Sequence, residues 1–462
     1  MNTARYRLRA TVVLCACVPV ILAILSGCAI TPGPAPTPTG AMATVTPATT
    51  KATETAAPTA VVADTVTTTP ADVLSPTPAP EPSATPSPAE VQKTRLTLRP
   101  VQVEAPGVFG QGRTINLPPG FHIRVYAASL PGVRWLGLSP QGLVYATMPG
   151  EGKVVTLPDA NKDGVADDIK TFADGLPGVH GIDFREGTVY VATESQIIRL
   201  QDTNGDGVAD KREVLASDLP SGGGHSTRTI AFGPDGKLYV SAGSSCNVCE
   251  EEDPKRAAIS RYTADGKFEK VYAKGLRNAV GIIFHPLTGE LWATNNGRDN
   301  LGDNIPPETI YKIREDANYG WPYCYGDRVP DQTMHPPPGY CDNTELPAVK
   351  LQAHMAPLGL AFYFGDQFPA EFKGDMFVAF HGSWNRSVPV GYKVMRIRFK
   401  DNQPDASAGD LLAEDFATGW LMGGQAWGRP VDPLVAPDGS LLLTDDRAGV
   451  VYSIYYRPET GQ

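Results

Sequence analysis

The sequence predicts an all-β fold, a six-bladed β-propeller preceded by a lipoprotein signal and a disordered linker. Three observations predict it. One phrase, made of an apolar strand, a Gly-bearing turn and an alternating strand, is written six times between Trp135 and Thr444. The copies stand from the mid-forties to the seventies of residues apart, which suits four-stranded blades with variable loops. Helical periodicity is missing throughout.

The copies run in order. Trp135-Leu-Gly-Leu-Ser-Pro-Gln-Gly-Leu-Val-Tyr-Ala-Thr147 opens the series and Gly181 to Thr193 is the second. The third, Gly222-Gly-Gly-His225 to Gly243, contains the tight Pro234-Asp-Gly236 turn. Gly281 to Thr294 is the fourth, and Gly359-Leu-Ala-Phe362 with a longer turn before Asp375 to Phe380 the fifth. Asp432 to Thr444 is the sixth, and a strand at Phe121 to Tyr126 is expected to complete the last blade and seal the ring. A two-sheet sandwich would leave the repeated phrase unexplained.

The ends of the chain read differently. Residues 1–28 carry Arg5, Arg7 and Arg9 before an apolar run from Val12 to Leu25 and the sequence Leu25-Ser-Gly-Cys28. This resembles a bacterial lipobox, in which Cys28 is lipidated; an ordinary signal peptide or an uncleaved anchor is the alternative, though the run is short for a span. It implies an exported protein held at the outer face of the cytoplasmic membrane or cell envelope through the lipid alone. Residues 29–100 are Pro-, Thr- and Ala-rich and read as a disordered tether, which leaves residues 101–462 for the propeller. The net charge of -10 offers no basic stripe and argues against nucleic acid as a partner.

Beyond the signal and Cys28 four cysteines remain. An even number in an exported domain suggests two disulfides, most simply Cys246–Cys249 and Cys324–Cys341. A zinc site or redox chemistry at the Cys-x-x-Cys is the alternative; haem attachment fails because Glu250, not His, follows Cys249.

In a propeller the loops leading into the innermost strands meet at one face. Here those loops carry Arg134, His180, His225 with Arg228, Arg277-Asn278, His354 and Arg429. Loops after the second strands return there with Asn295 to Asp299, His381 to Arg386 and Asp445 to Arg447. A ring of His and Arg suits a ligand with several carboxylates, since the guanidinium fork pairs with carboxylate.

From about Leu117 to Tyr456 the chain resembles the glucose/sorbosone dehydrogenase family, whose members carry pyrroloquinoline quinone (PQQ) on a six-bladed propeller. The likeness rests on Gly224-His225, Phe232 to Gly236, Gly275-Leu-Arg-Asn278, Gly297-Arg-Asp299, Tyr319-Gly-Trp-Pro322 and Gly428-Arg-Pro-Val-Asp432. Ser245-Cys-Asn-Val-Cys249 and Leu301-Gly-Asp303 are similar to the sorbosone-dehydrogenase-like branch. The resemblance implies that His225 is a general base for the sugar hydroxyl and that Arg277 and Asn278 contact the quinone oxygens. It implies that the carbonyls of Gly297 and Arg298 hold a calcium ion, and that Arg386 and Arg429 bind the cofactor. Two departures stand out: Val431 replaces a second Arg of glucose-type members, and Pro177-Gly-Val-His180 replaces a Gln.

Asp202-Thr-Asn204-Gly-Asp206-Gly-Val208-Ala-Asp210-Lys-Arg-Glu213 has EF-hand loop spacing and is a candidate structural calcium site; a polar hairpin turn is the bland alternative. Asp159 to Asp167 repeats its first half, with Lys170 in the twelfth place. An insertion from Tyr319 to about Pro347 is either a buried, disulfide-pinned loop or an aromatic wall for a sugar.

Together these features predict an exported, lipid-anchored quinoprotein that oxidises a sugar or sugar-derived aldehyde and passes electrons to a quinone or cytochrome. A calcium-dependent lactonase and a non-catalytic propeller that binds glycan or protein are the alternatives.

Overall fold

The computed structural model describes residues 94–459. Its main body is six antiparallel four-stranded sheets. Blade one is Leu136–Leu138, Val144–Met148, Lys153–Leu157 and Lys170–Ala173. Blade two is Gly181–Arg185, Thr188–Ala192, Ile197–Gln201 and Lys211–Ala216. Blade three is Ile230–Phe232, Leu238–Ala242, Ala258–Tyr262 and Phe268–Lys274, with a short parallel strand, Ala317–Asn318, added at its edge. Blade four is Ile282–Phe284, Leu291–Asn295, Glu308–Ile313 and Val349–Leu351, and blade five is Pro357–Phe362, Met376–Phe380, Lys393–Ile397 and Ala413–Ala417.

Blade six closes the ring. Pro430–Val435, Leu441–Asp445 and Val450–Tyr456 come from the C-terminal part, and Phe121–Ala127 adds the outer strand, with Phe121 opposite Tyr456 and Ile123 opposite Ile454. The first strand of each blade touches that of the next, and the sixth touches the first, so these six strands line the axis.

The repeated phrase is a set of contacts between blades. Its second-strand aromatic packs edge-on against the aromatic that ends the next blade's first strand. Tyr145 meets Phe184 at 5.1 Å, Tyr190 meets Phe232 at 4.8 Å and Tyr239 meets Phe284 at 5.1 Å. The penultimate Thr of the second strand donates its hydroxyl to a carbonyl at the start of the next blade: Thr147 to His180 at 2.9 Å, Thr294 to Leu358 at 2.7 Å, and Thr444 to Arg134 at 2.8 Å. The backbones approach so closely that a Cβ on Gly281 would lie 2.2 Å from the Leu358 carbonyl oxygen.

Before blade one, Arg99–Gln102 and Thr114–Leu117 form a hairpin that bridges Thr418 beside blade five and, through Glu104, Arg124 of blade six. The domain boundary expected at residue 101 therefore falls inside a strand. Order extends further back, since the Leu96 amide donates to Glu414 at 2.9 Å and Arg398 donates to the Thr94 carbonyl at 3.1 Å. The expected signal, Cys28 and most of the expected linker lie outside the described residues.

Candidate functional site

A cavity of about 270 Å³ opens at the end of the axis where the expected loops converge. Arg134, His225, Arg277, Asn278, His354 and Arg429 line it, as do His381 and Asn385 from the returning loops. Val280 and Leu358 reach it from an apolar cluster that also holds Trp135 and Val431, so the Val431 position is fully buried packing. His180 stays out of this cavity, buried against the Trp135 ring at 4.8 Å.

His225 sits on the loop before blade three. Its Nδ1 lies 2.8 Å from the Ser244 carbonyl oxygen, which can only accept, so Nδ1 carries the proton and Nε2 the lone pair. Burial, with the nearby Arg277 charge, pushes the imidazole down to about 4. The loop is held from behind by two buried arginines. Arg228 donates to the carbonyls of His225 at 2.9 Å and Thr227 at 2.6 Å, and Arg256 donates to those of Gly243 at 3.3 Å and Gly222. Arg228 is thus a brace and does not line the cavity. Gly243 allows a tight approach, because a Cβ there would lie 2.5 Å from Asn278 Oδ1 and 2.7 Å from His225 Cβ.

Arg277 is spent on the protein itself. Nε donates to the Asn247 carbonyl at 2.9 Å and Nη2 to Asn247 Oδ1 at 2.9 Å and to Asp299 Oδ2 at 2.9 Å. Nη1 donates to the Gly297 carbonyl at 2.7 Å. This bears on the calcium expected at the Gly297 carbonyl. The Gly297 oxygen faces a guanidinium, and a second cation there would meet like charge. Arg298 sends its side chain the other way, to Asp331 at 2.6 Å and Thr333 at 2.7 Å.

Beside this pair lies Glu308, 3% exposed, at the head of blade four's third strand. It accepts from the Gly297 amide at 2.7 Å, and burial pushes its carboxyl up to about 7. Neither Asn247 nor Glu308 stood out in the sequence. A signal existed for each: a polar residue enclosed by Cys-x-x-Cys, and a carboxylate opening an otherwise apolar strand.

The wall formed by blades one, five and six is built around Asp446. Its carboxylate accepts from His381 Nε2 at 2.9 Å and from Arg134 Nη1 at 2.6 Å. Burial pushes Asp446 up, but these two partners outweigh it and hold it at about 2. Arg429 donates Nε to the His381 carbonyl at 3.1 Å, and its terminal nitrogens have no partner among the described residues. Arg386 contradicts its expected role. Its guanidinium is taken up by the carbonyls of Asp303, Ala353 and Val388, and its loop neighbours Trp384 and Asn385 line the cavity instead. Trp384 is 74% exposed at the lip.

Both expected disulfides form, Cys246–Cys249 and Cys324–Cys341. The aromatic opening of the insertion is buried, since Trp321 is 8% exposed and donates Nε1 to the Asn247 carbonyl at 3.4 Å, while much of the rest is exposed and none of it lines the cavity.

The two Asp-x-Asn-x-Asp-Gly loops join the outer strands of blades one and two, as expected. Their carboxylates cap backbone amides. Asp202 accepts from Gly205 at 2.7 Å and Gly207 at 2.8 Å, Asp206 from Val208 at 2.8 Å, and Asp210 from Thr203. Asn204 accepts from the Asp206 amide at 2.9 Å. Glu213, expected as the twelfth-place calcium ligand, lies in strand Lys211–Ala216 and pairs with Arg199 across the sheet, so it does not join the others. Among the described residues the one cluster with metal-ligand spacing is Cys246, Cys249 and Glu251, whose sulfurs are already bonded to each other.

A family model described as TrAA12-like matches residues 115–457. The chain belongs to the TrAA12-like family. Membership agrees with the resemblance to glucose/sorbosone dehydrogenases read from the sequence. An uncharacterized protein of Borreliella burgdorferi is 39% identical over 247 residues, 50% of this chain and 61% of that protein. A pyrroloquinoline quinone-dependent pyranose dehydrogenase of Coprinopsis cinerea is 25% identical over 416 residues, 76% of this chain and 56% of that protein. The chain thus matches little more than half the length of these relatives.

Solved structures share the TrAA12-like propeller. The holo form of the Coprinopsis cinerea pyranose dehydrogenase PQQ domain superposes with a TM-score of 0.66 at 23% identity, covering 76% of this chain and 100% of that domain. The calcium structure of the Trichoderma reesei family AA12 enzyme gives 0.64 at 21% identity, covering 74% and 96%.

Proposed function

We propose that this TrAA12-like protein is a PQQ-dependent dehydrogenase that oxidises a sugar or sugar-derived aldehyde. The observation that carries the reading is His225, a neutral imidazole whose Nδ1 is locked by Ser244 and whose Nε2 lone pair is left for a substrate hydroxyl.

The donor set suits a quinone bearing carboxylates. Arg429 has unspent terminal nitrogens, Asn278 stands beside His225, and Arg134 adds charge from the opposite wall. When bound, the quinone supplies the hydride acceptor. His225 then takes the hydroxyl proton at Nε2. Arg429 and Arg134 would hold the carboxylates of such a quinone, and Val280 and Leu358 give the cavity an apolar lining that excludes water. Trp384 offers an exposed face on which a pyranose ring can stack. Calcium at Gly297 does not fit the carbonyl's bond to Arg277, and no step depends on it.

Export, a lipid anchor at Cys28, and transfer of electrons to a quinone or cytochrome belong to the same proposal. The signal-like residues 1–28 support the first two. Calorimetric titration of PQQ into the purified protein tests the cofactor assignment, with Arg429→Ala beside wild type. Saturable binding weakened about tenfold or more in the variant supports it. No binding to wild type would leave a propeller that binds glycan or protein.

A further inference from the structure

The loop after blade three's second strand touches His225, the proposed base, and Arg277, which lines the same cavity and whose charge depresses that base. Ser244 gives its carbonyl to His225 Nδ1 at 2.8 Å, and its amide donates to the Arg277 carbonyl at 2.7 Å. Three residues on, Asn247 makes four bonds to the Arg277–Asp299 pair. It accepts from Arg277 Nε and Nη2, each at 2.9 Å, and from the Asp299 amide at 2.8 Å, and it donates Nδ2 to the Asp299 carbonyl at 3.1 Å. Ser245 ties the same loop to the His225 loop by accepting from the Gly224 amide at 2.7 Å.

What holds so short a segment in register is the Cys246–Cys249 bond, which brackets Asn247 and leaves a ring of four residues. Ser244 Oγ donates to the Cys246 carbonyl at 2.6 Å, and Glu251 accepts from the Ser245 amide at 2.6 Å and hydroxyl at 2.8 Å. We propose that this disulfide-closed loop is a positioning device that sets His225 and Arg277 relative to each other, with Asn247 as its positioning residue. The proposal rests on the dehydrogenase reading of the cavity. Without the disulfide, Asn247 has rotational freedom that its four bonds must overcome unaided, and Arg277 loses the partner that fixes two of its three nitrogens. Asn247 itself need not touch substrate.

The test compares wild type, Asn247→Ala, Asn247→Asp, the pair Cys246→Ser with Cys249→Ser, and the triple variant carrying Asn247→Ala in that background. All are made in the full chain and checked for native near-ultraviolet dichroism. With saturating PQQ and an aldose, Asn247→Ala is expected to lower kcat by roughly 10- to 100-fold with KM held within about threefold. Removing the disulfide should give a similar loss, and the triple variant should be no worse than either. Asn247→Asp keeps both side-chain acceptor contacts but turns a carboxylate oxygen toward the Asp299 carbonyl in place of the donor, so it should recover part of the rate and no more.

Losses that multiply in the triple variant, or a kcat unmoved by Asn247→Ala, overturn the proposal. If wild type itself turns nothing over, the dehydrogenase reading fails and amide exchange decides the positioning claim alone. The Asp299 amide, bonded to Asn247 Oδ1, should exchange faster by about the same factor in Asn247→Ala and in the disulfide variant. Unchanged exchange in the disulfide variant sinks it.

Discussion

His225 Nδ1 and the carbonyl oxygen of Ser244 lie 2.8 Å apart, and that contact assigns the tautomer of the proposed base. Burial and the Arg277 charge together hold the imidazole near 4, so it is neutral and able to accept a proton across the neutral range. The acid limb of kcat/KM should therefore fall near pH 4, well below that of a free histidine. Replacing Arg277 by Gln removes one cause of the depression and should move the limb upward, which a pH-rate profile of both proteins measures. A wild-type limb near 6.5 would contradict the assignment.

Gly243 separates His225 from Asn278 with no room for a methyl group. Its φ is not in the left-handed region, so Gly243→Ala strains the site and not the chain. We expect kcat to fall by roughly 10- to 100-fold with only a small change in melting temperature. A fully active variant would show that the two side chains need not be so close.

Glu308 is a carboxyl whose folded value, about 7, exceeds its unfolded value because of burial. Its proton is kept in the fold while the unfolded chain releases it, so stability is lost as pH rises from about 4.5 to 7. Glu308→Gln keeps an acceptor for the Gly297 amide and removes that dependence. The variant should gain on the order of 1–3 kcal/mol over wild type at pH 8 compared with pH 5, read by denaturant melts. Parallel pH profiles for the two proteins would rule out this titration.

Glu213 is paired with Arg199, and Asp202, Asp206 and Asp210 already cap amides. Millimolar calcium added without quinone should shift the melting temperature by less than about 1 °C, since only a ligand that binds the native state stabilises it. A larger rise that disappears in Asp202→Asn would place calcium in the loop after all.

The fold was legible because the repeated phrase encodes contacts across blades. Tyr145 against Phe184 and Thr147 on the His180 carbonyl are the same words that recur in later copies. Sequence order likewise brought His225, Arg277, Asn278 and Arg429 to one cavity, because each leads into an innermost strand. Direction was not legible. Arg386 stands on the right loop but turns to the Asp303 carbonyl, and nothing local in the sequence distinguishes that from facing the cavity. The place of Glu213 in the EF-hand spacing was hidden for a related reason. Its twelfth residue reaches the ion when a helix follows, whereas strand Lys211–Ala216 carries Glu213 to Arg199. Glu308 and Asn247 were hidden because their roles depend on partners far along the chain.

The most direct measurement is dye-linked turnover of the quinone-reconstituted protein with a panel of aldoses and sorbosone, for wild type beside His225→Ala. The account predicts turnover with at least one of these sugars and a fall in kcat of roughly 10²- to 10⁴-fold in the variant, with quinone binding retained. Turnover that survives the loss of His225, with the cofactor still bound, would contradict it.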